Sequence, residues 1–499
     1  MGKAFVIEAG FISLHTILKV WKSGIPIEIS EVVMKGVRDS RNRLEELIGS
    51  NADPVYGVNT GFGSLCDQVI SDRDLERLQY NLVRSHACGT GIPVSEELTR
   101  LVMILKILSL SKGNSAVRPE TLVFLVELYN RRLTPVIPRF GSLGASGDLA
   151  PLAHLTLLLI GEGKIWQNDQ PVEALTVLQQ NGLKPCGLMT KEGLALLNGT
   201  QFSLALLGSA LVEARECTKV SAYVAALSME AFDCSLDFLH PEIHKLRNQP
   251  GQIKVAAQIN EILRESGLRT RSKASVQDPY SFRCVPQVHG ASLDSFEYVW
   301  SVAEREANSV TDNPLLLSDG TVRSGGNFHA QPLALAADFL SIAMAEMGNI
   351  SERRIYQLIN GSRGLPVFLT QNPGLNSGYM IVQYSAAALV SNNKQLASPS
   401  SVDSIVTSKG QEDHVSMAAN AGLRCLELVS HVAQVLAMEW MTAVRAWQYR
   451  EKWSLHGPLS DWVRNYLDLI PFQEEDHIPS VQFQPALEFL RKQAALHEN

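Results

Sequence analysis

Long apolar stretches with few helix breakers dominate this chain beyond residue 200. Four of them combine apolar and small residues almost without interruption, at positions 203–232, 332–347, 378–396 and 414–447. A helix that is apolar on nearly all of its faces is normally buried, either in a large core or against a neighbouring subunit. Several such stretches in succession predict a mostly α protein, a bundle of long helices that forms oligomers.

Short polar segments that contain glycine interrupt the helical pattern. They lie at positions 56–63, 141–147, 198–201, 277–290 and 408–413. Functional side chains often lie on loops that a rigid scaffold positions, so these are the candidate functional loops. No repeat or Pro/Ser-rich linker separates domains. We therefore expect a loop-rich N-terminal part (1–200) and a long-helix bundle (201–499) that together form one interlocked catalytic unit.

Composition excludes several classes of protein. The 499 residues carry a formal net charge of −7 with the two signs interspersed, so we expect no nucleic-acid partner and no anionic membrane surface as partner. Apolar runs such as 152–160 are too short to span a bilayer, and the sequence does not open with a signal-peptide pattern. Seven scattered cysteines without a CxxC pair are typical of a reducing compartment. These features predict a cytoplasmic protein.

The glycine-rich run 141–148 (GSLGASGD) contains a tripeptide that can become an electrophile, Ala145-Ser146-Gly147. Attack of the Gly147 amide nitrogen on the Ala145 carbonyl carbon closes a five-membered ring. Loss of water from the ring and from the Ser146 side chain then leaves an exocyclic methylene. A residue without Cβ allows the backbone to fold back in this way. The alternative is a loop that ends at a helix N-cap, with Asp148 accepting N–H bonds.

Four other segments place polar side chains at turns: 56–63 (YGVNTGFG), 197–201 (LNGTQ), 277–284 (QDPYSFRC) and 411–414 (QEDH). With the tripeptide, they resemble in their order the family of ammonia-lyases that carry a methylidene-imidazolone (MIO) group. This family includes histidine, phenylalanine and tyrosine ammonia-lyases and the related 2,3-aminomutases. The resemblance extends from about residue 56 to residue 417, which is most of the chain.

Two positions narrow the substrate within this family. Histidine-specific members have histidine where His86 follows Ser85, whereas phenylalanine- and tyrosine-specific members usually have leucine; Glu412 also matches the histidine-specific pattern. An imidazole substrate has two ring nitrogens that need polar partners, and leaving one buried and unpaired costs about 1–3 kcal/mol. The resemblance is thus closest to the histidine ammonia-lyases, which convert L-histidine to trans-urocanate and ammonia.

The resemblance also implies roles for individual residues. Tyr56 matches the family's base for removal of the substrate β-proton, and Glu412 is the rival for that role. A phenol ionises near pH 10, so Tyr56 would need nearby positive charge or hydrogen bonds to act as a phenolate. The resemblance makes Arg283 the clamp for the substrate carboxylate. The remaining substrate-binding residues that it implies are His86, Asn198, Gln277, Tyr280 and Phe328.

The family further implies the cofactor, the fold and the assembly. The MIO group would form autocatalytically from Ala145-Ser146-Gly147, and no external cofactor would be required. The fold would be a long-helix bundle of the fumarase/aspartase type, with the prosthetic group carried by the loop-rich N-terminal part. The protein would be a homotetramer whose active sites are shared among subunits, with a small-molecule amino acid as its substrate.

Departures from the family pattern leave alternatives open. The residues Ser398-Pro399-Ser400 replace a usual His-Pro-His, and Gln331 replaces a usual glutamate. Both changes remove titratable groups, so a histidine 2,3-aminomutase that forms β-histidine, or a lyase for another aromatic amino acid, remains possible. A zinc site at His240 and His244 lacks a third ligand and a glutamate at the required position. The glycine spacing of 141–147 also does not match a nucleotide-binding loop.

Overall fold

The computed structural model describes residues 4–50, 54–272 and 275–496. In this part of the chain, eighteen helices and eight short strands form, which confirms the prediction of a mostly α protein. The helices are α1 (Leu14–Ser23), α2 (Glu31–Ser50), α3 (Leu75–His86), α4 (Glu96–Ser111), α5 (Pro119–Asn130), α6 (Leu149–Thr156), α7 (Ala174–Gln180), α8 (Glu192–Leu197), α9 (Gln201–Phe232), α10 (Pro241–Arg247), α11 (Pro250–Ile262), α12 (Tyr280–Arg283), α13 (Val285–Ala307), α14 (Gln331–Ile359), α15 (Met380–Leu396), α16 (Ala418–Gln448), α17 (Pro458–Leu469) and α18 (Ser480–Leu496).

Among the described residues, the strands form four two-stranded sheets. The pair β1–β2 is parallel, and the other three pairs are antiparallel. The strands are β1 (Phe5–Ile7), β2 (Ile27–Ile29), β3 (Thr90–Pro93), β4 (Pro138–Phe140), β5 (Lys164–Gln167), β6 (Gln170–Glu173), β7 (Leu315–Leu316) and β8 (Val322–Arg323). The pair β3–β4 leads directly into the glycine-rich run 141–148 and so fixes where that run begins.

The chain forms two compact units, and each is assembled from three separate segments. The first unit comprises Met1–Ser209, Trp300–Ala337 and Pro399–Leu423. The second comprises Ala210–Val299, Asp338–Ser398 and Arg424–Asn499. We expected a single boundary at residue 200. The first unit instead also contains two segments from later in the chain, Trp300–Ala337 and Pro399–Leu423.

Helix α4 forms the centre of the first unit. Every residue from Leu98 to Ser111 is buried, and the helix packs against α1, α2 and α5. Local capping helps to begin it, because the Ser95 hydroxyl accepts a hydrogen bond from the Leu98 N–H at 3.1 Å. Helices α3, α6 and α8 pack against one another in the same unit. They position the loop before α6 and the turn after α8.

The second unit has its own core of aromatic rings. Trp440 lies edge-to-face with Trp462 and with Tyr466, and Phe489 contacts all three rings. A completely buried ion pair accompanies this core, with Arg354 Nη2 2.7 Å from Glu439 Oε2. Because both charges are paired and hydrogen-bonded, removal of one partner would leave the other buried without compensation.

The long helices lie where the apolar stretches predict them. The predicted stretches 203–232, 332–347 and 378–396 fall almost entirely within α9, α14 and α15, and 414–447 corresponds to α16, which begins four residues later. The prediction of a loop over 277–290 is wrong beyond residue 279, because α12 and α13 begin there. Pro279 precedes α12 and Pro286 lies in the first turn of α13, where proline is tolerated and does not break a helix.

Two helices of the described residues are long and apolar enough to cross a membrane by length and composition. They are α14 and α16, and 67% of the most apolar window of each is buried inside the fold. Such burial is typical of apolar helices in a large protein core.

Candidate active site

The tripeptide Ala145-Ser146-Gly147 lies in the first unit, directly before α6, and the turn after α8 holds its backbone. Gly147 pairs with Gly199 as a parallel bridge, and the Asp148 N–H donates to the Gly199 carbonyl oxygen at 2.7 Å. Gly147 has a φ of +70°, and a Cβ atom there would lie 2.1 Å from the same Gly199 oxygen. Only glycine therefore fits this position.

Asp148 secures the loop from the other side. Its completely buried carboxylate accepts hydrogen bonds from the Ser142 hydroxyl (2.7 Å), the Ser203 N–H (2.8 Å) and the Ser203 hydroxyl (2.8 Å). Burial raises the pKa of this carboxyl, and the hydrogen bonds from Ser203 and Ser142 oppose that rise. The alternative in which Asp148 caps the helix that follows it is wrong, because the side chain caps the first turn of α9 and makes no cap bond to α6.

Glu412 contacts Ser146 of the tripeptide. The Ser146 hydroxyl donates to Glu412 Oε1 at 2.9 Å, and the Thr407 hydroxyl donates to Glu412 Oε2 at 2.6 Å. One backbone group and one side chain near Glu412 also bond to the glycine-rich run. The Met417 N–H donates to the Leu143 carbonyl oxygen at 2.8 Å, and the Ser416 hydroxyl donates to the Gly144 carbonyl oxygen at 3.1 Å. The segment 407–417 thus brings a carboxylate to the tripeptide from 266 residues away.

Tyr56 lies half-buried in the turn that follows α2, and its phenol oxygen accepts a hydrogen bond from the Gly63 N–H at 3.2 Å. Burial raises the pKa of the Tyr56 phenol. The Gly63 bond lowers this pKa, whereas the charges of Cys66, Glu412 and Asp312 raise it further. The net shift is opposite to the one expected for a phenolate, so the phenol is protonated at neutral pH.

His86 ends α3 and has a defined orientation. Its Nδ1 lies 2.8 Å from the Leu82 carbonyl oxygen, which can only accept, so Nδ1 carries the hydrogen. Burial lowers the pKa of this imidazole, while the bond to Leu82 and the charge of Glu412 act in the other direction. The ring is therefore neutral near pH 7, with Nε2 as a hydrogen-bond acceptor.

The turn after α8 contains Asn198, whose side-chain amide has an unused hydrogen-bond acceptor. In the described part of the chain, Asn198 Oδ1 is buried and has no hydrogen-bond partner, whereas its Nδ2 donates to the Asn313 carbonyl oxygen at 3.4 Å. A buried acceptor without a partner is unfavourable unless a ligand or water satisfies it. Phe328 lies half-buried in the same unit, in the turn that precedes α14.

The other three predicted site residues belong to the second unit. Gln277 is exposed, and Tyr280 retains 69% of its accessible surface. The Arg283 guanidinium lies 4.5 Å from the centre of the Tyr280 ring. Its Nε is buried without a hydrogen-bond partner among the described residues. This segment therefore places the Arg283 cation beside the Tyr280 ring, and the Arg283 Nε–H remains available to donate a hydrogen bond.

A buried charged cluster of the first unit was missed by sequence reasoning. Lys191 pairs with Asp312 at 2.8 Å, with each side chain only 1% exposed, and the Thr200 hydroxyl donates to Glu306 at 2.6 Å. Lys106 lies in α4 and donates to the Asn198 carbonyl oxygen at 2.7 Å. The available signal was a lone lysine inside the apolar stretch 98–111, since a lysine is almost never fully buried without a partner.

The histidines of the zinc alternative have other partners. His240 Nδ1 accepts a hydrogen bond from the Glu242 N–H, and His244 Nδ1 lies 2.9 Å from Gln252 Nε2. Within the ranges that the structure describes, no three His, Cys, Asp or Glu side chains are grouped to hold a metal ion.

The geometry of the glycine-rich run fits an MIO group. Position 147 accepts only glycine, the Ser146 hydroxyl is held by a carboxylate, and the flanking backbone is fixed on both sides. The sequence profile of the aromatic amino acid lyases matches residues 12–468. The chain belongs to the aromatic amino acid lyase family. Membership confirms the resemblance seen in the sequence, the helical lyase fold and the assignment to the carbon–nitrogen lyases.

Relatives of this lyase include both ammonia-lyases and aminomutases. The histidine ammonia-lyase of Geobacillus thermodenitrificans is 46% identical over 472 residues, which is 94% of each chain. The crystal structure of histidine ammonia-lyase from Trypanosoma cruzi superposes with a TM-score of 0.91 at 36% identity, covering 99% of this chain and 94% of the other. Tyrosine aminomutase from Streptomyces globisporus gives a TM-score of 0.94 at 32% identity, covering 100% and 99%.

Proposed function

We propose that this lyase removes ammonia from L-histidine to give trans-urocanate, using an MIO group formed from Ala145-Ser146-Gly147. The hydrogen bond between Ser146 and Glu412 carries the proposal, because it places the carboxylate of the histidine-specific pattern at the reactive tripeptide. The neutral imidazole of His86 is within the electrostatic influence of the same carboxylate. Similarity to relatives named histidine ammonia-lyase supports the same substrate.

Different residues of the chain carry out different parts of the proposed reaction. When formed, the MIO group supplies an electrophilic methylidene carbon that takes the substrate amine and makes it a better leaving group. Gly147 and Asp148 hold the backbone of the group through Gly199. Tyr56 removes the β-proton as general base through the ionised fraction of its phenol. This proton is weakly acidic, so the base must be well placed and suitably tuned.

Substrate recognition follows from the donors and acceptors of the site. His86 Nε2 and the Glu412 carboxylate both accept hydrogen bonds, so together they complement the two N–H groups of the substrate ring in its imidazolium form. The partnerless Asn198 Oδ1 accepts from the substrate amine. Arg283 offers a planar fork of donors that matches the substrate carboxylate. Gln277 and Tyr280 support this end of the substrate, and Phe328 packs against its ring.

Incubation with L-histidine tests the proposal. We expect ultraviolet absorbance to rise as the conjugated acrylate forms, with release of one ammonia per product and a product mass lower than that of histidine by one ammonia. A product of unchanged mass that does not absorb would be β-histidine, and it would show an aminomutase instead. Turnover of phenylalanine or tyrosine without turnover of histidine would contradict the assigned substrate.

We also infer a homotetramer in which the sites are shared among subunits. Helix α14 exposes Leu335, Phe339 and Ile342 at helical spacing, so one of its faces has an apolar stripe that is unusual on a monomer surface. Helix α15 similarly exposes Ile381 and Tyr384. A second copy of the chain would cover these faces.

Subunit complementation tests the sharing of sites. Ser146→Ala removes the reactive hydroxyl and Arg283→Ala removes the carboxylate clamp, so each variant alone should be almost inactive. Co-expressed chains with two different tags should form hybrid oligomers that regain activity, because one subunit supplies Ser146 and the other Arg283. Hybrids without activity above that of the separate variants would show that each site is built from one chain.

A further inference from the structure

Lys106 is a buried cation that the proposed chemistry does not use. It lies in α4 with 1% of its surface exposed, among residues that are all buried from Leu98 to Ser111. Burial lowers the pKa of its ammonium group to about 7. The charge of Lys191 acts in the same direction, and those of Asp312 and Asp148 oppose it. Burying a lysine is costly, so the position calls for a specific explanation.

Among the described residues, Lys106 makes one hydrogen bond, and its acceptor lies in the turn that holds the tripeptide backbone. Its Nζ donates to the Asn198 carbonyl oxygen at 2.7 Å. The next residue, Gly199, pairs with Gly147 and accepts the Asp148 N–H at 2.7 Å. Lys106 is thus one residue removed from the backbone that holds Gly147. When the Lys106 amine is protonated this bond is charge-assisted, and such a bond is shorter and stronger than one between neutral groups.

We propose that Lys106 is a positioning residue for formation of the MIO group, because it fixes the Asn198–Gly199 segment against which Gly147 is held for ring closure. This inference rests on the proposed function. In the reaction, a bond forms between Gly147 N and the Ala145 carbonyl carbon. The Ala145 oxygen leaves as water with the Gly147 and Ser146 amide hydrogens, and a C=N bond to Ser146 N results. A second water takes the Ser146 hydroxyl and the Ser146 Cα hydrogen. No oxidant or other reactant is consumed.

Loss of the Lys106 cation should act through this segment. Without the donor, the Asn198 carbonyl is left buried and unpaired, which favours a shift of the turn. Ring closure requires the Gly147 nitrogen to approach the Ala145 carbonyl closely. A displacement of about 1 Å at a reacting centre can slow a reaction about 100-fold. The effect should therefore appear in the amount of mature tripeptide, with the fold retained.

Mass spectrometry of the peptide that contains residues 145–147 gives the fraction of chains that have lost two waters. We compare the full-length wild type, Lys106→Met and a control, Arg100→Met. Arg100 is a buried cation of the same helix, but its Nη1 donates to the Tyr129 carbonyl oxygen at 3.0 Å. Only folded protein from size-exclusion chromatography is measured. If Lys106→Met does not fold, Lys106→Gln, whose side chain is too short to replace the ammonium, is measured in its place.

We expect a dehydrated fraction about tenfold or more below the wild type in Lys106→Met after equal maturation times, and the wild-type fraction in Arg100→Met. Full dehydration of the folded Lys106 variant would overturn the inference. An equal loss in both variants would also overturn it, because the cause would then be general destabilisation of α4. A wild type that has lost no water contradicts the proposed function itself, whatever the variants show.

Discussion

Ser146→Ala is expected to lower kcat for L-histidine on the order of 10³-fold or more. Alanine has no hydroxyl to eliminate, so the methylidene carbon cannot form and the substrate amine has no electrophile to attack. The fold should persist, because the change removes one hydrogen bond, to Glu412, which contributes about 1 kcal/mol. Ultraviolet absorbance gives the rate, and the peptide mass shows whether the two waters are lost.

Ser142→Ala is the matched control for this variant. Ser142 lies in the same glycine-rich run, and its hydroxyl bonds to Asp148 at 2.7 Å but takes no part in the ring. We expect Ser142→Ala to lose stability and to keep the mature tripeptide in the chains that fold. A wild-type rate in Ser146→Ala would contradict the electrophile and with it the proposed function.

Tyr56→Phe should lower kcat about 10²- to 10⁴-fold while KM changes little. The substitution keeps the ring and removes the proposed base. Because burial and the nearby acidic groups raise the Tyr56 pKa, the ionised fraction of the phenol is small at neutral pH and grows as pH rises. The wild-type rate should therefore increase with pH on the alkaline side, and this increase should be absent in Tyr56→Phe. Initial rates across a pH series give both results.

Glu412→Gln separates the two candidates for the base. If Glu412 only binds the substrate imidazole, loss of its charge should mainly raise KM for histidine. A variant Tyr56→Phe with nearly normal kcat, together with a Glu412→Gln variant that loses kcat and the pH dependence, would assign proton removal to Glu412.

Local sequence patterns predicted the helices well. Contacts between residues far apart in the chain could not be predicted from the sequence. Helix α9 could be predicted because its apolar residues continue for some thirty positions. The start of α13 was missed because the whole segment 277–290 was interpreted as a loop, although its prolines lie at helix N-termini. The capping of α9 by Asp148 depends on Ser203, which is 55 residues away. No local pattern encodes such a pair.

The candidate site shows the same division. Ser146, Tyr56 and Glu412 could be selected because their motifs occur in the order of a known family. The direction of the Tyr56 pKa shift could not be predicted, because it depends on burial and on carboxylates from other segments of the chain. Lys106 carries no motif, and only the three-dimensional structure shows that it reaches Asn198.

We expect the discontinuous first unit to determine when during synthesis the proposed MIO group can form. Glu412, Ser416 and Met417, which hold the glycine-rich run, belong to the segment Pro399–Leu423. A ribosome translates about four-fifths of the chain before it reaches this segment. Until then we expect the tripeptide to remain ordinary peptide, so that a nascent chain carries no electrophile that could react with the amines and thiols of the cell.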